Sequence, residues 1–372
     1  MNDRIGIYVH IPFCKTKCHY CDFLSFVPSP GDAEAYADAL INEINNADLG
    51  GYTIDTIFIG GGTPTCVPPF LLRRILEALK RFDTAPGAEF TAEANPGTLD
   101  PGILDVLLQS GVNRLSVGLQ SADDRLLRNA GRGHTAAEFY ESFGNARAAG
   151  FGNINIDIMF SLPGQTLETF RDTCAAVAEL GPEHISSYSL TVEDGTPLKK
   201  MIEDKKISLP DDAADRDMYH HLTKYFTGRG YTHYEISNFA KSGFECRHNI
   251  SCWERGEYTG FGLGAHSFLN KTRFNNTKDF RFYINNSCDK KLIIENEIYI
   301  DEAEELEETM FLGLRSLRGV VLSDRIAAFY KNQIDKLVAS RLVKINGGRL
   351  SLTDRGLDFA NAVFSEFIGV IR

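Results

Sequence analysis

The sequence predicts an α/β protein: an open six-stranded (β/α)6 partial TIM barrel followed by a smaller C-terminal α+β, winged-helix-like domain. Up to about residue 236, short β-rich runs alternate with amphipathic helical runs, as parallel βαβ units require. Beyond residue 301 the period changes to small helices followed by a hairpin. Glycine-rich and polar motifs fall directly after the predicted strands, where ligands gather in such barrels.

Strands are expected at residues 5–10, 53–59, 89–93, 113–117, 153–159 and 184–190. Helices fall between them, at 32–44 (with Asp32 as N-cap), 68–82, 100–109, 135–149 and 166–180, each with apolar residues at turn spacing. Gly111, Gly150 and Gly181 mark helix ends. Six such units are too few to close an eight-fold barrel but enough for an open one. Residues 209–229 then read as a charged helix, 231–238 as a short aromatic strand and 256–264 as a glycine-rich run. Small helices are expected at 301–315, 322–329 and 332–340. Strands at 342–345 and 349–352 follow, turning on Gly347-Gly348. This divides the chain into a core domain (1–236), a connecting segment (237–300) and a C-terminal domain (301–372).

Bulk properties narrow the function classes. A chain of 372 residues, 43% hydrophobic, can bury a large core. A net charge of −11 argues against a nucleic-acid-binding surface, and the winged-helix outline is not strongly basic. Met1-Asn2-Asp3-Arg4 runs straight into the first strand, so neither a leader nor a membrane span is expected. Eight unevenly spaced cysteines suit a reducing compartment, and a cytoplasmic location is expected.

The most informative stretch is Cys14-Lys-Thr-Lys-Cys18-His19-Tyr-Cys21, directly after the first strand. Its C-x3-C-x2-C spacing puts three thiolates on one short loop, matching three corners of a cubane [4Fe–4S] cluster and leaving the fourth iron open to an exogenous ligand. Three cysteines so close make a poor disulfide framework. Zinc would want a fourth ligand, and His19 sits too close to Cys18 to supply it without strain. After the second strand, Gly60-Gly61-Gly62-Thr63-Pro64 exposes backbone to an approaching ligand. Glu93 closes the third strand, Gln120 follows the fourth, Asp157 lies near the end of the fifth, and Arg132 precedes a helix start. Each alone is more often a cap or a solvated loop residue, but together they read as one pocket.

The cysteine loop resembles that of radical S-adenosylmethionine proteins. Five blocks, Tyr8-Val-His-Ile-Pro-Phe-Cys14, Gly60-Gly-Gly-Thr-Pro-Thr65, Glu93-Ala-Asn-Pro-Gly97, Val117-Gly-Leu-Gln-Ser121 and Leu162-Pro-Gly-Gln165, resemble those of the oxygen-independent coproporphyrinogen III oxidase group. Within that group the chain is more similar to the HemW haem chaperones. The oxidase usually has a further cysteine where Phe23 stands here, and an extra segment before the first strand. The resemblance implies a radical SAM core in which Cys14, Cys18 and Cys21 hold the cluster. Tyr8, Gly61, Gly62, Thr63 and Glu93 would line an S-adenosylmethionine position, and Gln120, Arg132 and Asp157 match residues around a second, neighbouring one.

The HemW group carries a His-Asn-x-x-Tyr-Trp stretch associated with haem, and here it reads His248-Asn249-Ile-Ser-Cys252-Trp253. The resemblance makes His248 an axial ligand of haem and Trp253, the only tryptophan, a stacking partner. Read from the residues alone, the two favour packing an interdomain seam. The implied function is a haem chaperone that hands haem to an acceptor protein, a membrane-associated one among the candidates. The alternative is a radical SAM oxidase or other tetrapyrrole-modifying enzyme. Coproporphyrinogen oxidase activity is not expected, and no catalytic residue is assigned.

Overall fold

The computed structural model describes residues 4–370, so Met1, Asn2 and Asp3, part of the expectation of no leader, lie outside the described residues. The strands of the main sheet are β1 (Arg4–Ile11), β2 (Thr53–Gly61), β3 (Thr84–Ala94), β4 (Arg114–Gln120), β5 (Ile154–Phe160) and β6 (His184–Ser189). They continue with β7 (Thr232–Glu235), β8 (Asn238–Ala240), β9 (Tyr258–Phe261), β10 (His266–Leu269), β11 (Thr272–Asn276) and β12 (Ile294–Tyr299). Their spatial order is β12-β11-β10-β9-β1-β2-β3-β4-β5-β6-β8-β7. The run from β1 to β6 is parallel throughout, as expected for the barrel core.

Side-chain alternation explains why this sheet curls around a polar bore. On β1, Ile5, Ile7, Val9 and Ile11 are buried against the outer helices, while the intervening Tyr8 and His10 bond to one another. The same alternation sends Glu89, Thr91 and Glu93 of β3, Arg114 and Ser116 of β4, and Asn155 and Asp157 of β5 inward. Their neighbours Phe90, Ala92, Leu115, Val117, Ile154 and Ile156 join the apolar core. The helix Pro69–Leu79 shows the complementary face, with Leu71, Leu72, Ile75, Leu76 and Leu79 all buried.

Four expectations are corrected. Asp32 is the first residue of its helix rather than its cap; Gly31 precedes it at φ 87°, and the Asp32 carboxylate accepts the Ser29 N–H at 2.9 Å. The aromatic run near residue 234 is two antiparallel strands, β7 and β8, not one. The glycine-rich run holds β9, which pairs in parallel with β1 and adds a seventh parallel strand. Residues 237–300 are therefore no mere connector: they carry β8 to β12, all within the main sheet.

Beyond residue 300 a separate apolar core forms around Leu306, Met310, Leu337, Leu350, Val363 and Phe367. The helices Glu302–Gly313, Asp324–Phe329 and Lys331–Ala339 pack on a small antiparallel sheet. Its strands β13 (Val320–Val321), β14 (Val343–Asn346) and β15 (Arg349–Leu352) stand in the order β13-β15-β14. Gly347 and Gly348, at φ 55° and 74°, make the two-residue turn between β14 and β15. Arg255 and Arg273 both reach Glu308 across the seam, at 2.9 and 2.5 Å, and tie this unit to the main sheet. Among the described residues, no helix is long and apolar enough to cross a membrane.

Candidate functional site

A cavity of about 510 Å3 opens at the carboxyl ends of the parallel strands, where Cys14, Cys18 and Cys21 reach its wall. Gly61, Gly62, Glu93, Gln120, Arg132 and Asp157 line it with them. The cysteine loop is fixed at both ends: Cys14 N–H donates to the Phe26 carbonyl at 3.0 Å, and the Lys17 ammonium reaches the Phe23 and Ser25 carbonyls at 3.2 and 2.9 Å. The His19 ring is engaged elsewhere, with Nδ1 3.3 Å from the Asn129 carbonyl.

Each thiol has a polar neighbour. The Thr63 hydroxyl points to Cys14 Sγ at 3.8 Å, the Arg132 guanidinium to Cys18 Sγ at 3.5 Å, and Ser25 Oγ lies 3.8 Å from Cys21 Sγ. Burial pushes the Cys21 thiol up, so an electrophilic iron is what would hold it as thiolate. Among the described residues no three His, Cys, Asp or Glu side chains converge as ligands of a single ion. The donor set, three free thiols on one cavity wall with hydrogen-bond donors aimed at two of them, fits the cluster.

The glycine run has a steric cause. A Cβ on Gly62 would stand 2.5 Å from the Phe13 carbonyl oxygen, and one on Gly61, at φ 110°, would stand 2.5 Å from the His10 ring. The end of β2 can approach β1 and the start of the cysteine loop here only because both residues lack one. Gly61 N–H donates to Glu93 at 3.2 Å. Burial and the nearby Asp157 nevertheless push the Glu93 carboxyl up to about 7, so it shares a proton near neutrality. Asp157 is held by the Ser116 hydroxyl at 3.0 Å and the Asn155 amide at 2.7 Å. Gln120 adopts φ 67°, a left-handed conformation disfavoured for a side chain with Cβ.

Tyr8 and Thr63, expected to line the cofactor position, stand behind the wall instead. The Tyr8 hydroxyl donates to His10 Nδ1 at 3.0 Å, and His10 Nε2 donates to the Leu24 carbonyl at 2.8 Å, a brace between β1 and the cysteine loop. Burial holds His10 below the usual imidazole range, which keeps it neutral for both bonds.

His248 and Trp253 do not join this cavity. Their helix, Arg247–Trp253, sits at the opposite end of the bore. The Glu89 carboxylate, midway along β3 and level with Thr56 of β2, accepts the Arg247 and His248 N–H groups at 2.9 and 3.0 Å. The His248 ring is buried beside Gly6, bonds Thr56 Oγ1 through Nδ1 at 2.8 Å and packs on Phe58 at 5.3 Å. Burial, then Arg114, push this imidazole down to about 4. Trp253 lies in the seam to the C-terminal unit under the Arg315 guanidinium, 4.4 Å from the ring centroid, and its Nε1 has no partner. Trp253 thus takes the seam-packing role that the residues alone favoured, whereas His248 packs inside the barrel against Gly6, Thr56 and Phe58.

Asn95 escaped assignment although it lies just past the end of β3, two residues beyond Glu93, and lines the same cavity. Its amide links Thr63 and Arg132. Ser116 and Asn155, which orient Asp157, were equally anonymous as sequence.

Comparison with known proteins gives a consistent picture. The Radical SAM superfamily pattern matches residues 8–177, and the HemN C-terminal domain pattern matches residues 300–359. The chain is 37% identical over 369 residues to the heme chaperone HemW of Lactococcus lactis subsp. lactis, covering 97% of this chain and 96% of the relative. It is also 37% identical over 374 residues to the heme chaperone HemW of Bacillus subtilis, covering 97% and 98%. Among solved structures, coproporphyrinogen III oxidase (HemN) from Escherichia coli, a radical SAM enzyme, superposes with a TM-score of 0.84. It shares 23% identity over 99% of this chain and 90% of that one, a likeness of fold. With its cysteine loop, barrel and C-terminal unit matched along nearly its whole length, the chain belongs to the HemW heme chaperone family of the radical SAM superfamily.

Proposed function

We propose that this chain is a haem chaperone: it binds haem and passes it to an acceptor protein, on a barrel that carries a [4Fe–4S] cluster and an exchangeable S-adenosylmethionine. The observation that carries the reading is the full-length relationship to heme chaperones, joined to a barrel mouth with three thiols on one wall. Cys14, Cys18 and Cys21 would hold the cluster. When bound, it supplies an open iron able to chelate the amino and carboxylate groups of S-adenosylmethionine and to deliver an electron. The protein's own part is binding and orientation. Glu93 and the peptide groups of Gly61 and Gly62 face the cavity where the amino group would sit, while Arg132 offers positive charge to a carboxylate.

Haem would engage the chain through the 247–253 helix. His248 is neutral, as a ligand must be, but buried. Ligation therefore requires the helix to lift from Glu89 and Thr56. The acceptor is a haem-requiring protein, membrane-associated or not. The deciding experiment incubates anaerobically reconstituted protein separately with haem and with coproporphyrinogen III, with S-adenosylmethionine and reductant present. Haem should give a saturable Soret change and pass to an apo-acceptor, and the porphyrinogen should remain unconverted. Decarboxylation at multiple turnovers would transfer the chain to the oxidase reading.

A further inference from the structure

Two of the three loop cysteines are joined by a continuous polar strap. The Arg132 guanidinium donates to Cys18 Sγ at 3.5 Å and to the Asn95 side-chain carbonyl at 2.5 Å. The Asn95 amide nitrogen donates to the Thr63 hydroxyl at 2.6 Å, and that hydroxyl donates to Cys14 Sγ at 3.8 Å. Every donor is thereby directed: Asn95 occupies the lone pair of Thr63, which leaves the hydroxyl proton for the sulfur. Arg132 is held on a second side by the Gly118 carbonyl at 3.1 Å. The place for this junction is cut out of β4, since a Cβ on Gly118 would stand 3.0 Å from Asn95 Oδ1 and 3.1 Å from Arg132 Nη2. A charged guanidinium and an amide so enclosed, with Arg132 Nε left without a partner, cost desolvation that a loop tether alone would not require.

We propose that Asn95 is a positioning residue of the cluster site, a single amide that aims donors at Cys14 and Cys18 together and so sets the reduction potential and retention of the cluster they hold. The proposal rests on the reading that these cysteines are the cluster ligands. Hydrogen bonds to ligand sulfur stabilise the more electron-rich reduced state and raise the potential. Groups that orient ligands from behind typically change metal affinity about 10–100-fold when removed. Asn95→Ala removes the acceptor from Arg132 and the donor from Thr63 in one step. Thr63→Val removes only the hydroxyl at Cys14. Asn95→Asp keeps an acceptor for Arg132 but draws the Thr63 proton away from the sulfur.

The test uses reconstituted full-length protein and two readouts, the midpoint potential of the cluster by EPR-monitored titration and the rate of iron loss to a chelator. Asn95→Ala should move the potential negative and release iron on the order of tenfold faster than wild type. Thr63→Val and Asn95→Asp should fall between the two. Wild-type potential and iron loss in both Asn95→Ala and Thr63→Val would overturn the proposal. If Asn95→Ala takes up no cluster, the nearly isosteric Thr63→Val decides alone. Failure of the underlying reading looks different: wild type would take up no cluster, or Cys14→Ser would keep the full complement of iron.

Discussion

At Glu93 a buried carboxyl pushed up to about 7 meets a ligand that arrives as a cation. Below its pKa the group must shed a proton before it can accept from the ligand's amino group, so binding is coupled to pH. Affinity of the reconstituted protein for S-adenosylmethionine should rise roughly tenfold per unit as pH climbs towards 7 and level off above it. Glu93→Gln should bind more weakly with a flat profile. Calorimetric titration between pH 5.5 and 8.5 checks this, and a wild-type profile as flat as that of Glu93→Gln would remove Glu93 from the binding surface. The same residue shows what a sequence can and cannot disclose. Its position at a strand end marked it as a ligand candidate. Its protonation depends on burial first and then on Asp157, two strands away on β5, which only the curl of the sheet brings near.

Among the elements, the short helix Arg247–Trp253 is the one whose motif and placement pull apart. The His-Asn block was legible, and so was the seam as an alternative home for it. That Glu89 would grip its first turn was not, because the two lie far apart in sequence and a carboxylate inside an alternating strand announces nothing. β9 was obscured for a related reason: Gly260 is glycine because the chain folds back against the His266 backbone, so the stretch showed as a glycine-rich run with no strand assigned. For the helix, ligand and packing roles separate in a pair of variants. His248→Ala should destabilise the fold by about 2–3 kcal/mol through lost packing and a lost buried hydrogen bond, and should also weaken haem binding. Thr56→Val loosens the ring from its Nδ1 partner yet leaves the imidazole in place. It should keep or strengthen haem binding. Soret titrations of wild type and both variants read the outcome, and wild-type affinity and band position in His248→Ala would leave His248 a packing residue only.

Across the whole molecule, two electrostatic effects make opposite demands as pH falls. The net charge of −11 means that acidification towards the pI near 5.4 relieves self-repulsion and by itself favours the compact state. Against it stand imidazoles folded into places where they cannot charge. His134 and His248 are each pushed down to about 4, by burial first and then by Arg132 and Arg114 respectively, and burial also holds His184 well below the usual imidazole range. In the unfolded chain a histidine takes up its proton near 6.5. Between about 6.5 and 4 the unfolded state thus binds more protons than the folded one, and stability is lost as pH falls through that window while remaining level above it. Each fully shifted histidine contributes about 1.4 kcal/mol per pH unit; Glu93, which takes up its proton near 7 in the folded state, works against them by as much, so His134 and His248 together leave a net fall of about 1.4 kcal/mol per unit. Spread over a long chain, the relief of repulsion between mostly solvated charges is screened at physiological salt, whereas the buried sites are not. The histidines should therefore win: denaturant midpoints measured at constant ionic strength from pH 7.5 to 4.5 should hold steady to about 6.5 and then fall. Replacing His134 by glutamine, which can still donate to the Leu119 carbonyl now 3.2 Å from the imidazole, should shallow that fall. A midpoint that rises on acidification would mean that net charge, not the buried imidazoles, governs the stability of this barrel.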